Sequence, residues 1–303
     1  MRTVATPEIT VVIPVRNGEA TLREQLLALA SQTDAPAFEI VVSDNGSTDG
    51  TAEICTSLGN QIPGLRVVDS GDRPGVAHAR NEGVRAAAAP YVVFCDADDR
   101  VTPGWLRSLG DALRRYDAVG GMVVVDVADA SAELGDMAPN AEGLGSVFGH
   151  LPYAVGANLG VRRDVYLALG GMDESFPHGH EEVDFAWRLQ NAGYTLGWAP
   201  DARVLYRQRT TRRGAFRQAR NYGESSIQLW TRHSQSLPVG AVSLRISVRN
   251  LGRELLGLPR LASQRSGLGT ARALGWTAGV LAGHLRYRKF GSSPAPRLME
   301  SPQ

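Results

Sequence analysis

From Ile9 to Val15 the chain reads ITVVIPV, interrupted by a single polar residue, Thr10. A continuous β-branched run of this length is the pattern of a strand covered on both faces. The next segment, EATLREQLLALASQ, places Leu22, Leu26 and Leu29 at helical spacing. FEIVVSDNGSTDGTAEICTSLG repeats the plan of strand, polar turn and helix, and LRVVDSG and YVVFCDADD are two more short strands. Between those two, GVAHARNEGVRAAAA predicts a helix that ends before Pro90. Strands alternating with helices over the first hundred residues predict an α/β architecture, with a mostly parallel, Rossmann-like sheet flanked by helices. Sheets of this kind take their ligands at the carboxyl ends of the strands. Those ends here read IPVRNGE, VSDNGSTDG, VVDSGDRPG and FCDADD, which gives an apolar sheet a polar, acidic rim.

Beyond this region, Ala128 to Ala154 has weak periodicity and many Gly, Pro and Asp residues, and it reads as a mobile or substrate-facing segment. EEVDFAWRLQNAGY predicts a helix whose apolar positions include Val183, Trp187 and Leu189 and whose stop signal is Gly193. FRQARNYGESSIQLWTRH predicts another, with Phe216, Tyr222 and Leu229 set among arginines. In LGTARALGWTAGVLAGHLRYRKF, Leu268, Leu274, Leu281 and Leu285 fall roughly on one side, but Arg272 and several glycines dilute the stripe. That falls short of a membrane span. The closing GSSPAPRLMESPQ reads as a frayed end.

Charge divides the chain more sharply than its net +1 indicates. Met1 to Ala202 carries 14 arginines against 28 acidic residues, whereas Arg203 to Gln303 carries 17 arginines and one lysine against three glutamates. We therefore expect two parts, residues 1–210 as an acidic body and residues 211–303 as a basic helical extension. A basic region of this size faces an anionic partner or is simply a solvated set of helix faces. An interfacial helix on anionic lipid, a helical cap on the acidic body and a homodimer contact are all open. The only two cysteines, Cys55 and Cys95, have no metal-ligand or redox spacing, which fits a reducing compartment. The opening MRTVATPEITVVIPV has too short an apolar run for a signal peptide. The expected location is cytoplasmic, with a peripheral position at the inner face of the cell membrane if the basic helices meet lipid.

The chemistry begins with exclusions. No G-x-G-x-x-G follows the first strand and no glycine-rich turn ends in Gly-Lys-Ser/Thr; the chain's only lysine is Lys289. A nucleotide would have to be held another way, and Asp96-Ala97-Asp98-Asp99 supplies one. Side chains two apart at a strand end point the same way, so Asp96 and Asp98 can present oxygens jointly to Mg²⁺ or Mn²⁺ while a diphosphate completes the shell. His178 and His180 in HGHEE have the look of metal ligands, but no cysteine or further histidine nearby completes a set. Ser225 and Ser226 have no evident His and Asp partners. Trp105, Trp187 and Trp198 suit the core better than a sugar face.

The ordered series ITVVIPVRNGEATLREQLLALASQT, EIVVSDNGSTDGT, GVAHARNEGVRAAAAPYVVFCDADDRVTPGWL, ANLGVRRDVYLALGGMDESF and HGHEEVDFAWRLQNAGY resembles the family 2 glycosyltransferases and covers most of Ile9 to Arg207. The resemblance implies a GT-A nucleotide-diphospho-sugar transferase fold and sugar transfer to an acceptor hydroxyl with inversion. It implies a UDP-, GDP- or dTDP-sugar donor and a glycan or lipid-linked acceptor of the cell envelope; nucleic acid is not an expected partner. Carried over residue by residue, it places Asp44 on the nucleotide base near Pro14, Val15 and Asn17, and Arg80 and Asn81 on the nucleotide and sugar side. Asp96 would contact ribose or sugar, with Ala97 between it and Asp98, the metal ligand, which Asp99 assists. Asp44 equally suits an Asx turn and helix cap ahead of Ser47 and Thr48.

Inverting transfer needs a carboxylate that takes the acceptor proton. The family's Glu-Asp-x-Asp pattern aligns with Glu181, Glu182 and Asp184, so Glu182 stands where Asp is usual and the base is open among the three. Acidic residues also favour the first turn of a helix through its dipole, which explains one or two of them more easily than three. Tyr206 stands where many relatives carry a histidine near the metal, and Arg207 and Arg209 are candidates for the diphosphate. Two other readings remain at this point: a sugar-nucleotide or glycan-binding protein without turnover, and a nucleotidyltransferase, against which the missing lysine-bearing phosphate loop counts.

Overall fold

The computed structural model describes residues 6–126, 142–237, 264–291 and 293–300, with the isolated positions 244, 248, 249 and 252. Among the described residues, eight strands form one mixed sheet: β1 (Ile9–Val15), β2 (Phe38–Asp44), β3 (Leu65–Asp69), β4 (Tyr91–Phe94), β5 (Arg100–Val101), β6 (Ala118–Val125), β7 (Leu159–Arg162) and β8 (Leu196–Tyr206). Their order is β3-β2-β1-β4-β7-β6-β8-β5. The run β3-β2-β1-β4 is parallel, as the alternating pattern predicts. β7 enters antiparallel to both β4 and β6, while β8 returns parallel to β6.

The side-chain period of two divides the strands between two cores. Ile9, Val11, Ile13 and Val15 of β1 face one core with Ile40, Val42 and Val93, beneath α1 (Leu22–Ala30), α2 (Thr51–Gly59) and α4 (Trp105–Leu113). Val12, Val41, Val92 and Phe94 face the other, with α3 (Val76–Ala86), α5 (Arg163–Ala168) and α6 (Glu181–Asn191). Every residue of β1 is buried because helices cover both sides of it. Trp105 and Trp187 are fully buried core residues, as expected.

The basic region supplies α7 (Arg212–Arg232) and α8 (Gln264–Gly283), continued by a π-helical turn at His284–Lys289. Thr211 caps α7 by accepting from the Gly214 amide. Glycines dilute the apolar stripe of α8 because they form its contact with α7. A Cβ at Gly275 would stand 2.3 Å from the Phe216 carbonyl oxygen, and one at Gly279 would stand 2.0 Å from that of Arg220. With Gly283 against Ile227, contacts advance in the same direction along both helices, so the two run parallel and meet backbone to backbone. In an open helix Gly→Ala gains about 1 kcal/mol in propensity. Gly279→Ala is instead expected to cost about 1–3 kcal/mol by overpacking. Thermal unfolding decides, and a raised melting temperature would show that the helices do not touch at this position.

No helix among the described residues is long and apolar enough to cross a membrane. The frayed end expected after residue 290 is corrected for residues 293–300, which pack on the body. The Met299 amide donates to the Gly170 carbonyl at 2.8 Å, and the Glu174 amide donates to that of Arg297 at 3.0 Å. Met299 is buried in the second core. An apolar side chain and paired backbone groups outweigh the local Pro and Ser content here. The segment from Ala128 lies outside the described residues up to position 141; from 142 onward it packs near α6, where the Trp187 indole donates to the Leu151 carbonyl at 2.8 Å.

Candidate active site

At the carboxyl ends of β1 and β4, a cleft of about 450 Å³ opens, lined by Pro14, Val15, Arg16, Asn17, Gly18, Ala20, Thr21, Val76, Asp96, Ala97, Asp98 and Arg209. The strand-end rule located it. The loop after β1 is stitched to the loop after β2. The Asn17 amide donates to Ser47 Oγ at 2.9 Å and its side-chain oxygen accepts from the Thr48 amide at 2.8 Å, while the Gly18 amide donates to Thr51 Oγ1 at 2.9 Å. Asn17 adopts φ +56°, a left-handed conformation that asparagine tolerates better than most residues. A larger cleft of about 890 Å³ lies at the opposite end of β4, around Tyr91, Arg162 and Asp164, away from this rim.

Asp96, Asp98 and Asp99 each offer an oxygen within 4.8 Å of the others. Ala97 faces the core between the first two, so the alternation expected of an extended segment holds. Gln25 on α1 fixes both ends of this turn: its amide donates to the Asp96 carbonyl at 3.0 Å, and its oxygen accepts from the Val101 amide at 3.0 Å. Asp99 is 4% exposed; one oxygen accepts from the Arg207 amide at 3.1 Å, and the other, Oδ2, is buried with no partner. Burial and then the neighbouring aspartate charges push the Asp98 and Asp99 carboxyls up, Asp99 furthest. Three clustered carboxylates with one orphaned buried oxygen are a donor set that fits a divalent cation.

Arg80 joins this cluster to α6. Its guanidinium is 3% exposed and donates to Asp96 Oδ1 and to Glu181 Oε1, each at 2.9 Å. Glu182, next in the helix, is half-buried. Its carboxyl is pushed up to about 8, by burial first and by the Glu181 charge second, with Arg80 acting against both. Its charge in turn contributes to raising Tyr153, after burial. Tyr206, at the position where the resemblance expects histidine, accepts from Gln218 at 3.0 Å and keeps its proton through burial and the Asp99 and Asp98 charges.

Some residues expected in the site are placed elsewhere. Asp184, one of the three candidate bases, is 2% exposed, with Oδ2 accepting from Arg188 Nε at 2.7 Å and Oδ1 2.8 Å from His233 Nε2. Both oxygens are committed to holding α6. Asn81, carried over as a donor contact, is fully buried, and its side chain donates to Met172 O and Glu174 and accepts from Tyr166 and the Met172 amide. It positions the loop before α6. Asp44 is paired with Val15 across the strands and forms the Asx turn, accepting from the Ser47 amide at 2.9 Å, but it does not line the cleft. His180 pairs with Ser225 Oγ at 2.7 Å and is held neutral, lowered to about 4 by burial, so it stands apart from the carboxylate cluster. Arg16, Gly18, Ala20, Thr21 and Val76 complete the cleft without having been singled out; their one sequence signal is their place just after β1 or at the start of α3.

Residues 10–170, more than half of the chain, match the model of Glycosyl transferase family 2, and residues 91–283 match Glycosyl transferase family group 2. The pre-mycofactocin glycosyltransferase of Mycobacterium tuberculosis is 30% identical over 280 residues, covering 84% of this chain and 55% of that protein. Glycosyltransferase AglE of Haloferax volcanii is 29% identical over 229 residues, with 74% of each chain covered. The chain thus spans about half the length of the mycobacterial relative. Among solved structures, the mannosyltransferase PcManGT from Pyrobaculum calidifontis, in complex with GDP-Man and Mn²⁺, superposes with a TM-score of 0.58 at 21% identity, covering 92% of this chain and 75% of that one. TarS 1-349 of S. aureus with UDP-GlcNAc gives 0.54 at 16% identity, covering 93% and 92%. These structures show the GT-A fold, and the family match over strands β1 to β7 and the acidic turn after β4 shows that the chain belongs to the family 2 glycosyltransferases.

Proposed function

We propose that the protein transfers a sugar from a nucleotide-diphospho-sugar to an acceptor hydroxyl with inversion, in the synthesis of a cell-envelope polysaccharide or glycolipid. The observation that carries this is the Arg80 bridge, which ties the acidic cluster facing the cleft to the carboxylates at the start of α6. Donor and acceptor chemistry then share one rim. Asp98 and Asp96, with Asp99 beside them, would hold Mg²⁺ or Mn²⁺, whose charge would offset that of the departing diphosphate. Pro14, Val15 and Asn17 floor the nucleotide end of the cleft, and Asp44 shapes it through its turn. Glu182 accepts the acceptor proton as the sugar carbon is attacked. Glu181 is already paired with Arg80, and that pair holds Glu182 in place.

Nucleotide release from a panel of UDP-, GDP- and dTDP-sugars, with and without Mn²⁺ or Mg²⁺, tests the reading. Release from one donor, dependent on metal, supports it. Donor binding by calorimetry without release from any donor, with lipid and glycan acceptors present, would identify a binding protein on the same fold.

The basic extension bears on where the acceptor is met. Phe216, Trp276, Leu285 and Phe290 are exposed on α7, α8 and the turn that follows, among Arg212, Arg213, Arg217, Arg288 and Lys289. Aromatic side chains set among arginines suit the surface of an anionic membrane. Co-sedimentation with anionic liposomes at low salt, reversed by added salt, is the expected result. Absence of binding at low salt would leave α7 and α8 as a cap on the catalytic domain.

A further inference from the structure

Resting on the donor-site reading above, we infer that Arg209 and the divalent cation compete for Asp98, and that the diphosphate resolves the competition by taking the guanidinium. Arg209 Nη2 stands 3.0 Å from Asp98 Oδ2, so this side chain and a cation claim one carboxylate. The two arginines that reach the cluster differ in freedom. Arg80 is buried and shared between Asp96 and Glu181, and it cannot leave without stranding two carboxylates. Arg209 lies beyond the end of β8 with its side chain 52% exposed, and the residue lines the cleft together with Pro14–Gly18. An exposed ion pair of this kind is weak, so a better partner displaces it.

A cation entering alone must expel Arg209 and adds its charge beside a guanidinium left without a carboxylate. A diphosphate entering alone draws Arg209 away and leaves Asp98 uncompensated beside Asp96 and Asp99. When both enter, partners are exchanged without loss: the cation takes Asp98, and Arg209 takes phosphate oxygens, which its planar fork suits. Cation and nucleotide diphosphate are therefore coupled, and by linkage each tightens the other by the same factor. Arg209 is a positioning residue in this scheme. It sets the order and cooperativity of loading and takes no part in the proton transfer at Glu182.

The test is Mn²⁺ binding, read by paramagnetic resonance of the free ion, on the full-length protein with and without UDP or GDP. Wild type is expected to bind Mn²⁺ at least about fivefold more tightly with saturating UDP or GDP than alone. Arg209→Gln is expected to bind Mn²⁺ alone about fivefold to tenfold more tightly than wild type and to show a smaller tightening by nucleotide than wild type, having lost the part that comes from drawing Arg209 off Asp98. Arg213→Gln, which removes the same charge from an exposed site on α7 outside the cleft lining, controls for net charge. If Arg209→Gln leaves Mn²⁺ affinity unchanged, weakens it, or shifts it no more than Arg213→Gln does, the competition is refuted. If Arg209→Gln tightens Mn²⁺ as expected but neither nucleotide affects wild type, the competition stands and the donor-site reading fails.

Discussion

Asp98→Ala is expected to reduce sugar transfer by about 10³-fold while leaving the protein as stable as before or slightly more so. The two halves of this result have one cause. Asp96, Asp98 and Asp99 crowd three oxygens within 4.8 Å, and burial together with mutual repulsion raises the carboxyls of Asp98 and Asp99. A fold selected only for stability would not keep that arrangement. Removing Asp98 relieves repulsion at the cost of one partly exposed ion pair with Arg209, a contact worth little. It also removes one of the two carboxylates that line the cleft. Nucleotide release and thermal unfolding on the same preparation measure both halves. Activity within tenfold of wild type would remove the cluster from the reaction; a large fall in melting temperature would show the aspartates to be structural.

Glu182→Gln is expected to lower kcat by about 10²–10⁴-fold with donor affinity unchanged. Glutamine keeps the shape and removes the ability to accept a proton, so only the chemical step suffers. The wild-type pH profile carries the same information. Burial and the adjacent Glu181 hold the Glu182 carboxyl up, to about 8, and a proton acceptor must first be ionised. Below that point kcat rises tenfold per pH unit, and above it the rate levels off. A bound divalent cation, being positive, moves the midpoint down without changing the sign of the slope. Glu182→Gln is expected to abolish this limb along with the rate. If the limb survives in the variant, the base is another group, and Glu181 is next in line by position.

The parallel half of the sheet was legible from the sequence for a simple reason. Strands β1, β2 and β4 are covered on both faces, so each is built around a run of apolar, largely β-branched residues with few polar interruptions. The acidic turn was equally legible, since it begins two residues after β4 ends. The antiparallel entry of β7 was not, because a four-residue strand, LGVR, carries no sign of its direction or neighbours. Asn81 shows the limit at the level of a single residue. It lies in the motif that the resemblance links to the nucleotide, one residue from Arg80, yet helix α3 turns it into the core, where Met172, Glu174 and Tyr166 use its amide.

Composition and order alone determined the α/β class, the polar rim at the strand ends and the three aspartates in that rim, because each is a local property of consecutive residues. The partners that Glu181, Glu182 and Asp184 meet were decided only by the tertiary structure. Arg80 comes from α3, Arg188 from the far end of α6 and His233 from beyond α7, and these groups pair with two of the three carboxylates, Glu181 and Asp184. The same holds for the glycines of α8, which dilute an apolar stripe in the sequence and in space let two helices touch. A side chain's partners are set by distances across the fold, and no spacing along the chain encodes them.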